Sequence, residues 1–520
     1  MSKRILVLGW ARLRNQAREG SGYNLVASEQ AAGLAARGHQ VVYIRSGMDY
    51  AFPPGPRVRY RETWRGVRCY DSVNSPNLSP AGSNFRNVEA EFAAPEHTDS
   101  IVRAATDLFH GERAHAALIH SLEGFGFDLI GALEDAGVRA IVTPHNYFFV
   151  CPQVDLLRGE GAICHDFEGG AQCEGCIEAP QPGRAKLKRG IEQAVELAVG
   201  ETTARYGKWV FAQLKGGTGD PEPFEPWAVG EGGRFEPVEG DEFSNAETQL
   251  LDANERFLAS DVHLKVLDRS PYGRRRAAGV AALNRASLVT PPSAFLGEVY
   301  VKMGLDRSKL KVVRLGLPHL DRISAAAKAS PFAEAPPWAP GCGRPLRIAF
   351  LGTVRSNKGL EVFVRAIESL DDVTRSKCRF IIRAFGHDAP YRRRLAHLPE
   401  VSMLGGYDPI DLIGMAADYD VGVLPHVWFE NSPIVMLEHL HGGRPVIASR
   451  LGGVPEWVRD GVNGWLVPGG ESEAMAQAIV SVVSEDAAIP RDVGSPLLTT
   501  VCAHLDEVES LFSHADACSR

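Results

Sequence analysis

Short runs of apolar residues alternate with longer amphipathic stretches along most of the chain. Such runs are typical of buried parallel strands, and the stretches between them have the spacing of helices. Because a strand, a helix and a second strand open the chain, we expect a parallel sheet with right-handed crossovers. The pattern thus predicts an α/β protein with strands at residues 4–9, 40–44, 117–119, 140–142, 288–291, 310–313, 346–352, 380–384, 401–404, 421–424 and 446–448.

A change in composition divides the 520 residues into two αβ units. The proline-rich stretch 330–345 is typical of a linker. We therefore predict a first domain at 1–329 and a second domain at 346–490, followed by a helical tail at 491–520. The first domain carries an insertion near 180–285, part of which is rich in Gly, Pro and Glu.

Composition and charge exclude several classes of protein. With 44% hydrophobic and 23% charged residues, the chain is typical of a soluble globular protein, and its net charge of -8 argues against general nucleic-acid binding. No apolar run approaches the ~18–20 residues that span a bilayer. The first residues predict a strand rather than a signal peptide, so we expect a cytoplasmic protein. Basic residues at 184–189 and 274–276 form either a solvated face or a peripheral contact with anionic lipid at the inner face of a membrane.

Two glutamates, Glu430 and Glu438, lie between two apolar runs near the end of the chain. Ser432 followed by Pro433 is a helix-start signal, which places Glu430 in the preceding loop and Glu438 in the second helical turn. A helix start favours an anion such as a phosphate, and carboxylates accept hydrogen bonds from sugar hydroxyls. This combination suits a nucleotide sugar. The alternative is that both glutamates are solvated charges.

The same stretch resembles the E-x7-E region of glycosyltransferase family 4, the retaining enzymes of the GT-B fold. In that fold two doubly wound, Rossmann-like domains face a cleft. Glu430 and Glu438 match the two motif glutamates, and the family's following Gly-Gly-x-x-Glu is matched by Gly452, Gly453 and Glu456. The resemblance implies that the first glutamate contacts the donor sugar and the second the ribose diol. The implied donor site also includes the residues beside the first glutamate, Asn431 and Ser432.

A basic loop follows the first predicted strand of the second domain and contains Arg355 and Lys358. Cations before a helix start suit a pyrophosphate, although such a loop can also be merely solvated. The segment resembles the family's Gly-Arg-x4-Lys-Gly, with Thr353 in place of the arginine, so Arg355 is the candidate substitute. In the first domain, a glycine loop that ends at Gly22 follows the first strand. The resemblance implies that this loop approaches the donor or the acceptor; the alternative is a plain strand-to-helix turn.

A histidine follows each of two predicted strands of the first domain. Ligands of parallel sheets bind at the carboxyl ends of the strands, although each histidine can also simply cap its strand. Residues 120–124 resemble the family's acceptor-side histidine segment. Residues 143–147 resemble its Thr-x-His-Asp-Tyr, with Asn146 in place of the aspartate, which removes a base or a charge. Together with the two residues of the second domain, the candidate catalytic residues are His120, His145, Lys358 and Glu430.

Four cysteines lie within 26 residues: Cys151, Cys164, Cys173 and Cys176. Their spacing, with a terminal C-x2-C, matches tetrahedral thiolate ligation of zinc. A subset of the family carries a similar cysteine segment at this place. We expect a structural zinc with no open coordination position. Free or redox-sensitive thiols and an iron–sulfur cluster are the alternatives.

These features and the resemblance predict a retaining glycosyltransferase of the hexosyltransferase type. It would move a sugar from a nucleotide-diphosphate donor to a hydroxyl acceptor, in surface polysaccharide or lipid-linked glycan synthesis. The resemblance implies that the leaving phosphate accepts the acceptor's proton, and that the C-terminal tail packs back across the linker. No catalytic metal is expected, because the Asp418-x-Asp420 triplet precedes a strand instead of following one. A nucleotide-sugar epimerase of the same fold and a catalytically inactive, metal-stabilised binding module are the alternatives.

Overall fold

The computed structural model describes residues 2–13, 22–49, 53–76, 92–158, 163–165, 168–176, 253–260, 270–329, 336–386, 388–407, 411–415, 417–484, 489 and 497–512. Most of the predicted insertion, the basic residues at 184–189, the first part of the linker and parts of the tail lie outside these ranges. Among the described residues, no helix combines the length and the apolar character needed to cross a bilayer.

The first sheet has the strand order β3-β4-β2-β1-β5-β6-β7. All neighbouring strands are parallel except β3, which is antiparallel to β4. The centre of the sheet is buried on both faces: Leu6 and Leu8 pack into one cluster, whereas Ile5 and Val7 pack into another on the opposite side. The strands are β1 (Arg4–Gly9), β2 (Gln40–Asp49), β3 (Arg57–Trp64), β4 (Val67–Val73), β5 (Ala116–Ile119), β6 (Arg139–Val142) and β7 (Leu288–Val289).

The second sheet has the order β10-β9-β8-β11-β12-β13, and its neighbouring strands are all parallel. The predicted α/β class with two doubly wound domains is therefore confirmed. The strands are β8 (Leu346–Thr353), β9 (Cys378–Phe385), β10 (Val401–Leu404), β11 (Val421–Leu424), β12 (Val446–Ser449) and β13 (Gly464–Val467).

The helices of the described residues cover both sheets. They are α1 (Gly22–Ala36), α2 (Pro95–Asp107), α3 (Asp128–Asp135), α4 (Ala171–Cys176), α5 (Ala253–Ala259), α6 (Pro271–Arg285), α7 (Ala294–Lys302), α8 (Pro318–Ala327), α9 (Leu360–Ser369), α10 (Asp372–Ser376), α11 (Ala389–Leu395), α12 (Leu412–Met415), α13 (Ile434–His441), α14 (Val454–Trp457), α15 (Ser472–Ser484) and α16 (Val501–Ser510).

Two helices cross between the domains: each follows one domain in the chain but packs on the other. Helix α8 precedes the linker, yet it packs against α12 and α13 of the second domain. Helix α16 follows the second domain, yet Leu505 and Val508 lie in the same apolar cluster as Ile5 and Val7 of β1. The two domains are thus joined by an exchange of helices as well as by the linker.

One predicted strand is wrong. Residues 310–313 form no strand, because only an isolated parallel bridge joins Leu310 to Val289. The antiparallel pair β3–β4 was not predicted, since its residues alternate with charges and lie at the sheet edge.

Candidate functional site

The loop of residues 425–433 follows β11 and lies where the two domains meet. Tyr147 of the first domain donates a hydrogen bond from its hydroxyl to Phe429 O, at 2.9 Å. The side chain of Asn431 donates to His145 O at 3.4 Å and accepts from the Ser293 hydroxyl. These contacts hold the loop that contains the first motif glutamate against the predicted acceptor side.

Lys358 and Glu430 form an ion pair in this loop region. The lysine comes from the loop after β8, and its Nζ lies 5.4 Å from the centre of the Trp428 ring. Glu430 is buried, which opposes ionisation, but the charge of Lys358 and the neighbouring His426 outweigh burial and lower the pKa of the carboxyl. The arrangement therefore places a carboxylate and an ammonium group side by side at the carboxyl edge of the second sheet.

The start of α13 differs from the prediction by one residue. Pro433 is the N-cap residue, and Ser432 does not cap the helix with its side chain. The Ser432 hydroxyl is buried, and within the described part of the chain it has no hydrogen-bond partner. The predicted N-cap role of Ser432 is therefore wrong, and its hydroxyl lies beside the helix start.

Glu438 lies in the second turn of α13, as predicted, and accepts a hydrogen bond from His319 at 3.0 Å. His319 belongs to the first turn of α8, and both side chains are buried. The sequence analysis missed this histidine, because no local pattern connects residues that are so far apart in the chain. The pairing orients the carboxylate whose predicted partner is the ribose.

Two glycines permit close approaches around the loop. A Cβ on Gly22 would come within 3.0 Å of Ile434 Cδ1, so glycine lets the start of α1 approach the start of α13. Gly452 has a φ of 65°, and a Cβ there would collide with the backbone of Glu430. The Gly-Gly pair therefore supports the loop that carries the first motif glutamate.

His120 and His145 are hydrogen-bonded to each other, with 2.9 Å between His120 Nδ1 and His145 Nε2. The ring of Tyr23 stacks on His145 with the ring centres 5.7 Å apart. Burial lowers the pKa of His120 to about 3 and holds the pKa of His145 well below its usual value. The structure thus brings the two predicted histidines together as a neutral pair.

Asn146, which stands where the family has aspartate, is tied to its own turn. Its Oδ1 accepts a hydrogen bond from Phe148 N at 3.0 Å, and its backbone carbonyl accepts one from the Tyr300 hydroxyl at 2.7 Å. The Asn146 side chain is thereby used in local backbone structure.

Arg355 lies near Asp155 of the first domain. Burial raises the pKa of Asp155 to about 7, and the charge of Arg355 opposes this rise. The residues on either side, Val154 and Leu156, have positive φ values of 71° and 55°. Such values are rare for a β-branched residue, so Asp155 lies in a strained turn.

The four clustered cysteines lie close enough together for their charges to interact. Burial raises the pKa of Cys151 to about 12 and that of Cys173 to about 11, and the nearby thiols add to each rise. In the described segments of the chain, no group of three or more His, Cys, Asp or Glu side chains is placed to hold a metal ion. Zinc ligation by these four thiols stays a prediction.

The arginines at 274–276 do not form a surface patch. Arg275 and Arg276 are buried and donate to the backbone carbonyls of Phe148 and Val150, at 2.8 Å and 3.1 Å. Neither guanidinium is available to lipid, so for these two residues both interpretations offered by the sequence are wrong.

Asp420 lies at the amino end of β11 and is buried. Arg344 donates to it at 2.6 Å, and Arg347 donates through both its side chain and its backbone N–H. Burial opposes ionisation, but the two arginines more than offset it and lower the pKa of the carboxyl. Asp418 is exposed. The triplet is therefore placed away from the 425–433 loop, and Asp420 is used in a structural ion pair.

Residues 345–485 match the family model described as glycosyl transferases group 1. The chain is 30% identical over 209 residues to the putative colanic acid biosynthesis glycosyltransferase WcaL of Escherichia coli K12, which covers 38% of this chain and 48% of that protein. It is 32% identical over 145 residues to the phosphatidyl-myo-inositol mannosyltransferase of Mycobacterium leprae, which covers 27% of this chain and 37% of that protein. The chain thus spans about half the length of the first of these relatives and less of the second.

Solved structures share the whole two-domain architecture. Anabaena HepE in complex with UDP has a TM-score of 0.54 and 14% identity, over 98% of this chain and 99% of that one. Sucrose-phosphate synthase from Thermosynechococcus elongatus has a TM-score of 0.53 and 16% identity, over 98% of both chains. At such identity the likeness shows the fold alone. The second domain is therefore similar in sequence to glycosyl transferases of group 1, and the chain as a whole has the GT-B fold.

Proposed function

We propose that this protein is a retaining glycosyltransferase that moves a sugar from a nucleotide-diphosphate donor to a hydroxyl acceptor. The observation that carries the proposal is the Lys358–Glu430 pair beside the start of α13. A cation and a helix start suit a diphosphate, while Glu430 and Glu438 suit sugar hydroxyls. The match of residues 345–485 to group 1 supports the same assignment.

In the proposed reaction, the bond between the anomeric carbon and the diphosphate oxygen breaks while the acceptor oxygen bonds to the same face of that carbon. The acceptor's proton passes to the leaving phosphate. Lys358 stabilises the negative charge that develops on the diphosphate, and Glu430 orients the sugar. Arg355 is proposed to take the place of the arginine that Thr353 replaces. His120 and His145 are proposed to contact the acceptor.

The acceptor is proposed to be a glycan or a lipid-linked glycan. The names of WcaL and of the mannosyltransferase refer to colanic acid biosynthesis and to phosphatidyl-myo-inositol, both of which present hydroxyl groups to a sugar donor. The neighbour structure with UDP makes uridine nucleotides the first donors to test.

The transfer is proposed to need no catalytic metal. Lys358, Arg355 and the start of α13 supply the positive charge, and Asp420 is engaged by Arg344 and Arg347. Activity should persist in excess EDTA during a short assay. Complete loss in EDTA that manganese restores and zinc does not would contradict the metal-independent mechanism. Elemental analysis of protein purified without added metal would separately decide whether zinc is bound.

A two-stage experiment tests the function. A thermal-shift screen of nucleotide sugars identifies the donor, because a ligand that binds the folded state raises its melting temperature. The donor is then incubated with glycan and lipid-linked acceptors, and the anomeric configuration of the product is determined by NMR. Transfer with retained configuration is expected. Conversion of the donor without any acceptor would indicate an epimerase, and donor binding without turnover would indicate an inactive binding module; either result would overturn the proposal.

A further inference from the structure

Three buried side chains and the half-buried His145 form a hydrogen-bonded chain from α16 to the place where the two domains meet. His504 of α16 contacts Gln30 of α1, with 3.2 Å between the two Nε2 atoms. Gln30 Oε1 lies 2.7 Å from His120 Nε2, and His120 Nδ1 lies 2.9 Å from His145 Nε2. The chain begins at a backbone group, since His504 Nδ1 lies 2.7 Å from Arg314 O.

The direction of every hydrogen bond follows from that first contact. A carbonyl oxygen only accepts, so His504 carries its proton on Nδ1 and offers a lone pair at Nε2. The Gln30 amide therefore donates to His504, and its carbonyl oxygen accepts from His120 Nε2–H. His120 then has a lone pair at Nδ1, which accepts from His145 Nε2–H. The last ring, His145, is left with a lone pair at Nδ1.

The chain fixes orientation and does not conduct protons. An amide lies in its middle, and an amide does not readily pass a proton from one end to the other. Burial lowers the pKa of each histidine, so all three rings are neutral near pH 7. Each ring therefore holds one defined tautomer as long as its neighbour does.

We propose that His504 is a positioning residue that sets the tautomer of His145 through Gln30 and His120. The inference rests on the proposed function in one respect, namely that a hydroxyl acceptor binds beside His145. With its proton on Nε2, His145 can accept a hydrogen bond from a hydroxyl through Nδ1 and cannot donate one there. Helix α16 thus determines which kind of group His145 recognises.

The tautomers can be observed directly. In protein labelled with ¹⁵N-histidine, long-range ¹H–¹⁵N spectra distinguish Nδ1–H, Nε2–H and the charged ring, and single substitutions assign the signals among the 16 histidines. At pH 7 we expect His504 as Nδ1–H and both His120 and His145 as Nε2–H. A wild-type His145 with its proton on Nδ1, or a charged His145, would overturn the inference whether or not the protein transfers sugar.

Three variants test the control by His504. His504→Phe keeps the ring volume but removes the acceptor for Gln30, so His120 and His145 should become mixtures of tautomers. Gln30→Leu interrupts the chain without altering α16 and should give the same result if His504→Phe fails to fold. Asp506→Asn, on the exposed side of the same helix, is the matched control and should change no tautomer.

The kinetic arm separates positioning from packing. His504→Phe should lower kcat by about tenfold and leave the KM for the donor unchanged. The tenfold figure is the lower end of what loss of an orienting partner costs a metal-binding histidine. His504→Gln, which retains an acceptor for Gln30, should recover most of the turnover. Altered tautomers with unchanged turnover would overturn the positioning role. No transfer by the wild type, with the expected tautomers present, would contradict the proposed function but leave the tautomer chain standing.

Discussion

Lys358 is paired with the carboxylate of Glu430, which a phosphate of the proposed donor would have to displace. Because Glu430 and the phosphate compete for the same ammonium group, the two residues are expected to affect binding and turnover in different ways.

Lys358→Ala should lower kcat by about a hundredfold or more, since a charge that stabilises the leaving group is lost. Steady-state kinetics with saturating donor would measure this, with Lys377→Ala, on the exposed surface of the same domain, as the control. Wild-type kinetics for Lys358→Ala would show that the lysine takes no part in the reaction.

Arg355→Ala, measured alongside, should also lower turnover if Arg355 takes the place of the absent family arginine.

Glu430→Gln should strengthen binding of the donor in the ground state, although it also slows turnover. The amide keeps the shape but releases Lys358 to bind phosphate, so the Kd for the donor should fall while kcat falls as well. Isothermal titration with the nucleotide diphosphate would measure the first change. A weaker affinity would mean that Glu430 and the phosphate do not compete.

Glu438→Ala should weaken donor binding by about 1.5–3 kcal/mol, the cost of losing charged hydrogen bonds. His319→Gln should weaken it less, because His319 acts through the orientation of the carboxylate. In a double-mutant cycle the two effects should not add, since the residues are in direct contact. Additive effects would show that His319 does not act through Glu438.

Asp155 should make the folded state less stable as the pH rises, which is the opposite of the usual effect of a carboxyl group. Its pKa is raised to about 7 in the folded state, so between about pH 4 and pH 7 the folded protein holds a proton that the unfolded chain has lost. Stability contributed by this group therefore falls as pH rises through that window. Asp155→Asn should raise the free energy of unfolding at pH 8, by up to about 1.4 kcal/mol for each unit by which the pKa is raised. Urea titrations at pH 5 and pH 8 would show whether the gain is confined to the higher pH.

At the scale of the elements, the strands were the most predictable part of the chain. Strands β1, β10 and β11 have the predicted bounds. For β1 and β11 the reason is burial on both faces, which requires an almost unbroken run of apolar residues. The β3–β4 pair lies at the edge of the sheet with one face partly exposed. Its strands therefore contain charged residues, and the search for apolar runs did not detect them. Residues 310–313 are apolar apart from Lys311 but make only one bridge, to Val289 in the two-residue strand β7.

Asp420 and Asp418 provide a matched pair at the start of β11. Asp420→Asn removes the charge that neutralises Arg344 and Arg347, and should destabilise the protein by about 1–3 kcal/mol. Asp418→Asn, at an exposed position, should leave stability unchanged. Neither change should alter donor affinity. A loss of affinity in either variant with unchanged stability would revive a metal-binding role for the triplet.

At the scale of the whole molecule, the sequence predicted side chains for the candidate site but not the contacts that those side chains make. The two glutamates, the lysine and the two histidines were predicted from their local sequence together with the family resemblance. Their connections to His319, Gln30 and His504 were not, since each joins segments from distant parts of the chain. The Asn431 contact with His145 likewise depends on how the domains meet.

Buried neutral histidines in both domains should make the protein sensitive to acid. Burial lowers the pKa of His97 and His441 to about 4 and that of His120 and His439 to about 3. Below about pH 6.5 the unfolded chain gains protons that the folded state does not. The free energy of unfolding therefore decreases as the pH is lowered, by up to about 1.4 kcal/mol per pH unit for each group. The melting temperature should therefore drop steeply between pH 7 and pH 5, because the histidines together outweigh the opposite contribution of Asp155.

Calorimetry at pH 7, 6 and 5 would measure this drop. His439→Gln should reduce the slope, whereas His397→Gln, at an exposed position, should not. A melting temperature that stays constant down to pH 5 would show that these histidines do not govern the acid response.

The packing of α16 on the first sheet has a consequence for synthesis on the ribosome. The apolar cluster on one face of β1 includes Leu505, Val508 and Leu511. These residues are made only after the entire second domain, so the amino-terminal sheet emerges with that face covered only in part, by α1. At about 5–20 residues per second, the wait is on the order of ten seconds or more. During that interval the nascent chain should be a substrate for chaperones that bind exposed apolar surface, and the second domain, although made later, is free to complete its own core first.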